Sequence, residues 1–207
     1  IDTDVIGQQC HALNTVKDRL LIVNVMEGLG GNHIGLAVDH NRGVLPAKLL
    51  AALGSQVLEH DLGAVVVLNG DLPLITADTV AKFAQTVATG ELACTVMTMT
   101  PPDPFGYGRI KLGADGQIER IIEQKDCTPE QAATLLECNA GCYAFDGAQL
   151  AAHINEIGND NAQSEYYLPD MLEILKGHGQ AVSIFHCDDY RDGLGVNSRI
   201  QLAQLTA

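Results

Sequence analysis

Positive charge is scarce in this sequence. Its 207 residues include 12 Lys and Arg against 26 Asp and Glu, a net charge of −14. Nucleic acids and anionic membrane surfaces are bound by basic protein surface, so this balance argues against either as a partner. An anionic small substrate stays open, because a few local cations, a metal ion or a helix N-terminus can hold a phosphate in an acidic protein.

Long apolar runs and targeting signals are also missing. No run approaches the roughly 20 apolar residues that cross a bilayer. Asp2 and Asp4 stand where a signal peptide would carry basic residues. The chain starts at Ile1 without a Met, which we interpret as a processed or partial chain. With 46% hydrophobic and 18% charged residues, the composition predicts a globular protein of about one domain.

Metal-binding and common catalytic signatures are absent too. The six cysteines share no spacing, and Cys138 and Cys142 fall in one strand-like run, about 13 Å apart on the same face, too far to share a zinc ion. We predict buried, reduced cysteines and a cytoplasmic protein. The seven histidines form no H-x-x-x-H pattern, and we interpret them as structural or surface residues. The lack of a G-x-S-x-G or Walker-type motif argues against the common hydrolases and P-loop ATPases.

Strand and helix patterns alternate from residue 64 onwards, which predicts an α/β fold with a mostly parallel sheet flanked by helices. Tyr107–Leu112 and Gln117–Ile122 flank a turn sequence and predict a hairpin, the core of a small β-rich lobe over one edge. The other predicted strands are Ala64–Leu68, Leu92–Met99, Cys138–Phe145 and Ala181–His186. The predicted helices are Asp78–Ala88, Pro129–Leu136, Gly147–Glu156, Tyr167–Lys176 and Ser198–Leu205.

The first 60 residues give weaker patterns. Leu20–Met26 is a dense apolar run that fits a strand or a buried helix, and periodicity alone does not separate the two. His33–Val38 predicts a strand and Leu45–Leu53 a helix.

Asp71 is the strongest candidate for chemistry. It closely follows the buried strand Ala64–Leu68, and ligands of open α/β sheets bind at the carboxyl ends of strands. A carboxylate there can hold Mg²⁺ against a triphosphate. The alternative is an Asx-turn that merely ends the strand.

Four further positions each allow a functional and a structural interpretation. Gly108, in Gly-Tyr-Gly-Arg, marks either a bend exposed to a ligand or an ordinary turn. Glu123 opens a charged cluster that binds a ligand or lies in a solvated loop. Asn139 sits in an apolar strand, where its amide needs partners from the backbone or a ligand. Asn197 is a good N-cap for the last helix, with ligand binding as the alternative.

Six segments in order carry a resemblance to a known family. They are Leu68–Ile75, Gly106–Ile110, Ile122–Asp126, Glu137–Gly141, Asn161–Asp170 and Gly195–Arg199. Together they resemble the uridyltransferase domain of bacterial N-acetylglucosamine-1-phosphate uridyltransferases, which is usually fused to an acetyltransferase. Each motif alone is weak, but six in order with similar spacing are specific, and the resemblance runs from about Ala64 to the end.

The resemblance implies a Rossmann-like domain with a small β-rich lobe, of the nucleotide-diphospho-sugar transferase type. It implies transfer of UMP from UTP to N-acetylglucosamine-1-phosphate, which gives UDP-N-acetylglucosamine and pyrophosphate for cell-wall peptidoglycan precursors. The residues that match the family's functional positions are Asp71 and Asn197 for catalysis and Mg²⁺, Asn69 and Gly70 for nucleotide or sugar contacts, Gly108, Glu123 and Asn139 for the sugar pocket, and Glu165 and Tyr167 for its lining.

The N-terminal part departs from the family pattern. The glycine-rich triphosphate loop and the base-recognition segment have no match, and the stretch before Asp71 is short by roughly one βα unit. We expect a single nucleotidyltransferase domain over residues 1–207 with an atypical or incomplete N-terminal part. The acetyltransferase β-helix domain is absent from it, and a homotrimer is expected only with that domain. Two alternatives stay open: a non-catalytic sugar-nucleotide-binding relative, and a nucleotidyltransferase for another sugar phosphate.

Overall fold

The computed structural model describes residues 20–25, 44–45, 63–69, 72–160 and 166–196. The strands in these ranges are β1 Leu20–Val25, β2 Val44–Leu45, β3 Ala64–Asn69, β4 Cys94–Met99, β5 Arg109–Leu112, β6 Ile118–Ile122, β7 Cys138–Asp146, β8 Tyr166–Tyr167 and β9 Val182–His186. The helices are α1 Ala77–Gln85, α2 Pro129–Thr134, α3 Gly147–His153 and α4 Asp170–Gly177. Short 3₁₀ helices span Gln124–Asp126, Ile154–Glu156 and Tyr190–Gly193.

The central sheet has the strand order β1-β3-β7-β4-β9. β1 is parallel to β3 and β4 is parallel to β9, while β7 is antiparallel to both β3 and β4. Four of these strands therefore share one direction and β7 alone runs against them. The mostly parallel, Rossmann-like sheet expected from the sequence is confirmed, with one reversed strand at its centre.

Both faces of the sheet are covered, which explains the unbroken apolar run of β3. Successive side chains of a strand point to opposite faces. Val65 and Val67 join one buried cluster with residues of α3 and α4, whereas Val66 and Leu68 join a second cluster with residues of α1. A strand buried on both sides favours apolar residues at its buried positions, and β3 has them from Ala64 to Leu68.

The predicted hairpin is confirmed as β5 and β6, which pair antiparallel. Gly116 lies in the connecting turn with φ +75°, a left-handed conformation that glycine adopts without strain. β5 joins the central sheet through one pairing, Arg109 with Cys138 at the start of β7. The hairpin is thereby tied to the first residues of β7, the central strand of the sheet.

Two helix predictions were wrong at their N-termini. The helix predicted from Tyr167 begins at Asp170, and Tyr166–Tyr167 pairs with Val44–Leu45 in a short antiparallel ladder. Aromatic residues favour strands, and Pro169 fits only the first turn of a helix, so the tyrosines fall outside it. Leu45 likewise lies in a strand, although we expected it to start a helix.

Of the remaining predictions, the structure decides one, and two fall outside the described residues. The ambiguous run that starts at Leu20 is a strand. The strand predicted at His33–Val38 and the helix predicted at Ser198–Leu205 lie outside the described residues. Within the described ranges, no helix has both the length and the apolar character needed to cross a bilayer.

Helix starts follow the capping residues in the sequence. Thr76 accepts a hydrogen bond from the backbone N–H of Thr79 and caps α1. Thr128 and Gln131 form a reciprocal capping box at the start of α2, where Pro129 occupies the first turn. These contacts satisfy N–H groups that a helix N-terminus otherwise leaves without partners.

Candidate functional site

A bulge in β7 shapes the candidate site. Val96 of β4 pairs with Tyr143, and Thr98 pairs with Asn139, so two steps along β4 face four steps along β7. The extra length is taken up at Gly141, whose φ is +75°. Bulges of this kind turn side chains away from the regular pleat and are frequent next to active sites.

Asn69, the last residue of β3, lies directly against the bulge. Its Nδ2 donates to the carbonyl of Ala140 over 3.4 Å, and its backbone N–H points to Sγ of Cys142 at 3.4 Å. A Cβ added at Gly141 would overlap the Asn69 amide. Glycine suits position 141 because its backbone is left-handed, and a larger residue there would also displace the Asn69 amide.

The Asn139 amide is held in one orientation by two partners. Its Oδ1 accepts from the backbone N–H of Gly141 at 2.9 Å, and its Nδ2 donates to the Tyr143 hydroxyl at 3.0 Å. Because a backbone N–H can only donate, the atom facing it must be the amide oxygen. Burial raises the pKa of Tyr143 well above its usual range, and the nearby negative charge of Glu123 adds to that. The phenol therefore stays neutral and anchors the amide.

Gly108 and Glu123 lie beside Asn139. The backbone N–H of Asn139 donates to the carbonyl of Gly108 at 2.9 Å. A Cβ at Gly108 would stand 3.1 Å from Cγ2 of Ile121 and 3.4 Å from Oε1 of Glu123. Gly108 is buried and Glu123 is exposed, so the carboxylate lies at the surface over the glycine. The structure thus brings Asn69, Gly108, Glu123 and Asn139 together around the β7 bulge.

A buried arginine supports this group, and the sequence did not point to it. Arg109 is only 2% exposed. Its guanidinium donates to the Tyr107 carbonyl and, at 2.9 Å, to Oε1 of Gln124, which also accepts from the Gly106 N–H at 3.2 Å. Arg109 therefore fixes the glycine turn before β5 against the segment that follows β6. Both motifs were visible in the sequence, but nothing in it indicated that they bind each other.

The 3₁₀ helix Tyr190–Gly193 approaches β7 from the other side. A Cβ at Gly193 would lie 3.1 Å from Cβ of Ala140 and 2.9 Å from Sδ of Met99. Asp192, 7% exposed, accepts hydrogen bonds from the hydroxyls of Thr79 and Thr76, the latter at 3.5 Å. This contact joins the segment before Asn197 to the N-terminus of α1, close to the end of β3.

The other predicted site residues have separate positions. Tyr167 lies in β8, half-buried, and packs against the core cluster that contains Tyr143. Four more lie outside the described residues, and their roles stay predictions: Gly70, Asp71, Glu165 and Asn197.

Comparison with known proteins gives a consistent family. Residues 37–192 match the family described as Nucleotidyl transferase. The Bifunctional protein GlmU of Lactobacillus gasseri is 45% identical over 206 residues, covering 95% of this chain and 44% of that protein. The protein of the same name from Shouchella clausii is 37% identical over 193 residues, covering 93% of this chain and 39% of that protein. The chain thus spans less than half the length of these relatives.

Solved structures agree on the fold. A CMP:2-keto-3-deoxy-manno-octonic acid synthetase complexed with CTP superposes with a TM-score of 0.59 at 14% identity, covering 96% of this chain and 84% of that one. The 2-C-methyl-D-erythritol 4-phosphate cytidylyltransferase of Thermus thermophilus gives 0.52 at 13% identity, covering 95% and 85%. At such identities the likeness concerns architecture alone. On the match across most of its length, the chain belongs to the nucleotidyl transferase family.

Proposed function

We propose that the chain transfers UMP from UTP to N-acetylglucosamine-1-phosphate, forming UDP-N-acetylglucosamine and releasing pyrophosphate. The observation that carries the proposal is the grouping of Asn69, Gly108, Glu123 and Asn139 around the β7 bulge. Each of these residues matches a sugar or nucleotide position in the family resemblance. Their assembly from distant parts of the chain is what a sugar-binding wall requires.

The group offers suitable chemistry for an N-acetyl sugar. With its two partners in place, the Asn139 amide keeps a second N–H and a second oxygen lone pair for a ligand. The exposed Glu123 carboxylate accepts hydrogen bonds from sugar hydroxyls, and charged acceptors make the stronger bonds. Gly108 is buried, and its lack of a side chain lets the Glu123 carboxylate lie close over the backbone. Fixed polar groups of this kind set orientation and specificity in small-molecule sites.

We assign the metal position to Asp71 and Asn197. A carboxylate and an amide oxygen are hard donors that suit Mg²⁺. Asn69 and Gly193 both lie against Ala140. Asp71 follows Asn69 by two residues and Asn197 follows Gly193 by four, and four residues reach at most about 14 Å, so the chain length permits both side chains to bind one ion. Bound there, Mg²⁺ would neutralise charge and orient the triphosphate for in-line attack on its α-phosphorus.

The remaining assignments extend the same proposal. Gly70 would contact the nucleotide or sugar, and Glu165 and Tyr167 would line the sugar pocket. The chain would form one nucleotidyltransferase domain, and a homotrimer would require the acetyltransferase domain. Cys94, Cys127, Cys138 and Cys187 are free thiols, which supports a cytoplasmic setting for peptidoglycan precursor synthesis.

Pyrophosphate release from UTP plus N-acetylglucosamine-1-phosphate with Mg²⁺ tests the proposal. The 207-residue chain and the native full-length gene product are assayed side by side, each with an Asp71→Ala variant and with Asp115→Ala, an exposed aspartate of the hairpin turn, as control. We expect turnover that only Asp71→Ala abolishes. Turnover by the full-length protein alone keeps the assignment and makes this chain an incomplete part of the enzyme.

Two results would overturn the proposal. No turnover in either protein, with UDP-N-acetylglucosamine still bound, would indicate a binding relative. Faster turnover with glucose-1-phosphate than with the N-acetylated sugar would indicate a different sugar specificity.

A further inference from the structure

Two histidines and a glutamate meet on the surface outside the proposed sugar site. Nδ1 of His153, the last residue of α3, is 2.7 Å from Oε1 of Glu156. Nε2 of His178, directly after α4, is 2.8 Å from Oε2 of the same carboxylate. The two imidazole rings stack with centroids 4.1 Å apart and planes 29° apart. Each ring thus directs one of its nitrogens at the same carboxylate.

We propose that His153, Glu156 and His178 bind one divalent transition-metal ion of the Zn²⁺ class. One ligand atom from each residue lies within 4.8 Å of the other two. Metal–ligand bonds of about 2.0–2.2 Å put tetrahedral ligand atoms about 3.4 Å apart, so short side-chain rotations suffice. Water completes the fourth position. This inference does not depend on the proposed uridyl transfer.

The donor set selects the class of ion. Imidazole nitrogens favour Zn²⁺, Ni²⁺, Co²⁺ and Cu²⁺, whereas Mg²⁺ and Ca²⁺ favour oxygen. In the structure the two imidazole nitrogens and the carboxylate contact one another directly; with an ion bound, these contacts would be replaced by bonds to one metal.

Metal at this cluster would link two helices. α3 and α4 pack on the same core through Leu150 and Leu175, and the cluster lies where both helices end. An ion that binds only the folded arrangement raises the stability of that arrangement in proportion to the logarithm of its concentration. The sequence did not indicate this cluster because its two histidines belong to different elements.

Calorimetry of Zn²⁺ binding to the full 207-residue chain tests the inference. Millimolar Mg²⁺ is present so that oxygen-rich sites are occupied and do not take up Zn²⁺. His178→Ala and Glu156→Gln are compared with His186→Ala. His186 is a matched control: it also contacts a glutamate, Glu137, at 3.2 Å, and its side chain is 48% exposed against 45% for His178. All variants are first checked for an unchanged melting temperature in chelator.

We expect one equivalent of Zn²⁺ in the wild type and in His186→Ala, and an affinity at least about tenfold lower in the two cluster variants. Co²⁺ should give ligand-field absorption without a thiolate charge-transfer band. The inference is overturned if the wild type binds no Zn²⁺, if His178→Ala and Glu156→Gln bind it equally well, or if the cobalt spectrum shows thiolate ligation.

Discussion

Asn139 is a polar residue whose surroundings could be predicted in part from its position in the sequence. Its place in an apolar strand predicted that its amide would find partners in the backbone or in a ligand. The structure gives it the Gly141 N–H and the Tyr143 hydroxyl, which fix its orientation and leave half of its hydrogen-bonding capacity for a ligand. The two contacts are structural, and they set the geometry in which the proposed sugar contact would be made.

Replacing Asn139 should weaken sugar-phosphate binding. Asn139→Ala removes the ligand contact and leaves the Tyr143 hydroxyl without its amide partner, at a cost of about 1–3 kcal/mol. We expect the KM for N-acetylglucosamine-1-phosphate to rise about 10- to 100-fold, with the KM for UTP nearly unchanged. Steady-state kinetics with each substrate varied in turn measures both constants. Asn159→Ala, at an exposed amide, is the control. Equal KM values in the two variants would show that Asn139 does not contact the sugar phosphate.

Other residue-level features could not be predicted. The sequence pointed to Gly108 and Glu123 because they stand in recognisable motifs. Arg109 and Gly141 also stood in such motifs, but their roles depend on contacts with Gln124 and Asn69 that only the folded chain creates. Close approach between residues far apart in sequence leaves no local pattern.

Among the elements, the strands and helix starts were largely predictable from pattern and capping chemistry. The β7 bulge was not, since an apolar run with one glycine predicts a regular strand. The position of Tyr167 was misjudged for a related reason. Its run has helical spacing, and the pairing of β8 with β2 outweighs that local preference.

The contact between α1 and the 3₁₀ helix Tyr190–Gly193 should contribute to stability. Asp192→Ala leaves the Thr79 hydroxyl without its buried partner, so we expect a loss of about 1–3 kcal/mol in the free energy of unfolding. Asp188, four positions earlier with a side chain 95% exposed, is the matched control, and Asp188→Ala should change little. Urea denaturation measures both variants. Equal stability of the two would mean that the buried contact contributes nothing.

At the scale of the whole molecule, the two cores on either side of the sheet bury most of the described thiols. Cys94, Cys138, Cys142 and Cys187 are buried, and Cys127 is half-buried. Burial raises the pKa of Cys138 to about 11 and that of Cys187 to about 12. A raised pKa means less thiolate at a given pH, and at pH 8 about one Cys138 thiol in a thousand would be ionised.

Alkylation should therefore discriminate among the cysteines. In the folded protein at pH 8 we expect Cys127 to react first of the five, with Cys138 and Cys187 at least about tenfold slower. Iodoacetamide labelling followed by peptide mass spectrometry gives each rate. In urea all five should react alike, which controls for intrinsic reactivity. Labelling of Cys138 as fast as Cys127 in the folded protein would contradict the packing of β7.

Most of the fold class followed from the alternation of strands and helices. The activity did not, because the chain spans less than half the length of its relatives and the sequence analysis recognised no triphosphate loop in its N-terminal part. In the proposed function the β7 bulge links fold to activity, because Asn69, Gly108, Glu123 and Asn139 lie around it.

A pair of glycine variants tests it most directly. Gly141 and Gly116 share φ +75°, but a Cβ at Gly141 overlaps Asn69, whereas a Cβ at Gly116 meets nothing within 4 Å. Both Gly→Ala changes carry a similar backbone cost of about 1 kcal/mol, and only one displaces the site. Pyrophosphate-release kinetics should show kcat/KM for the sugar phosphate at least about 100-fold lower in Gly141→Ala, a loss of about 2.7 kcal/mol, and nearly unchanged in Gly116→Ala. Equal activity in the two variants would show that the β7 bulge does not position the site.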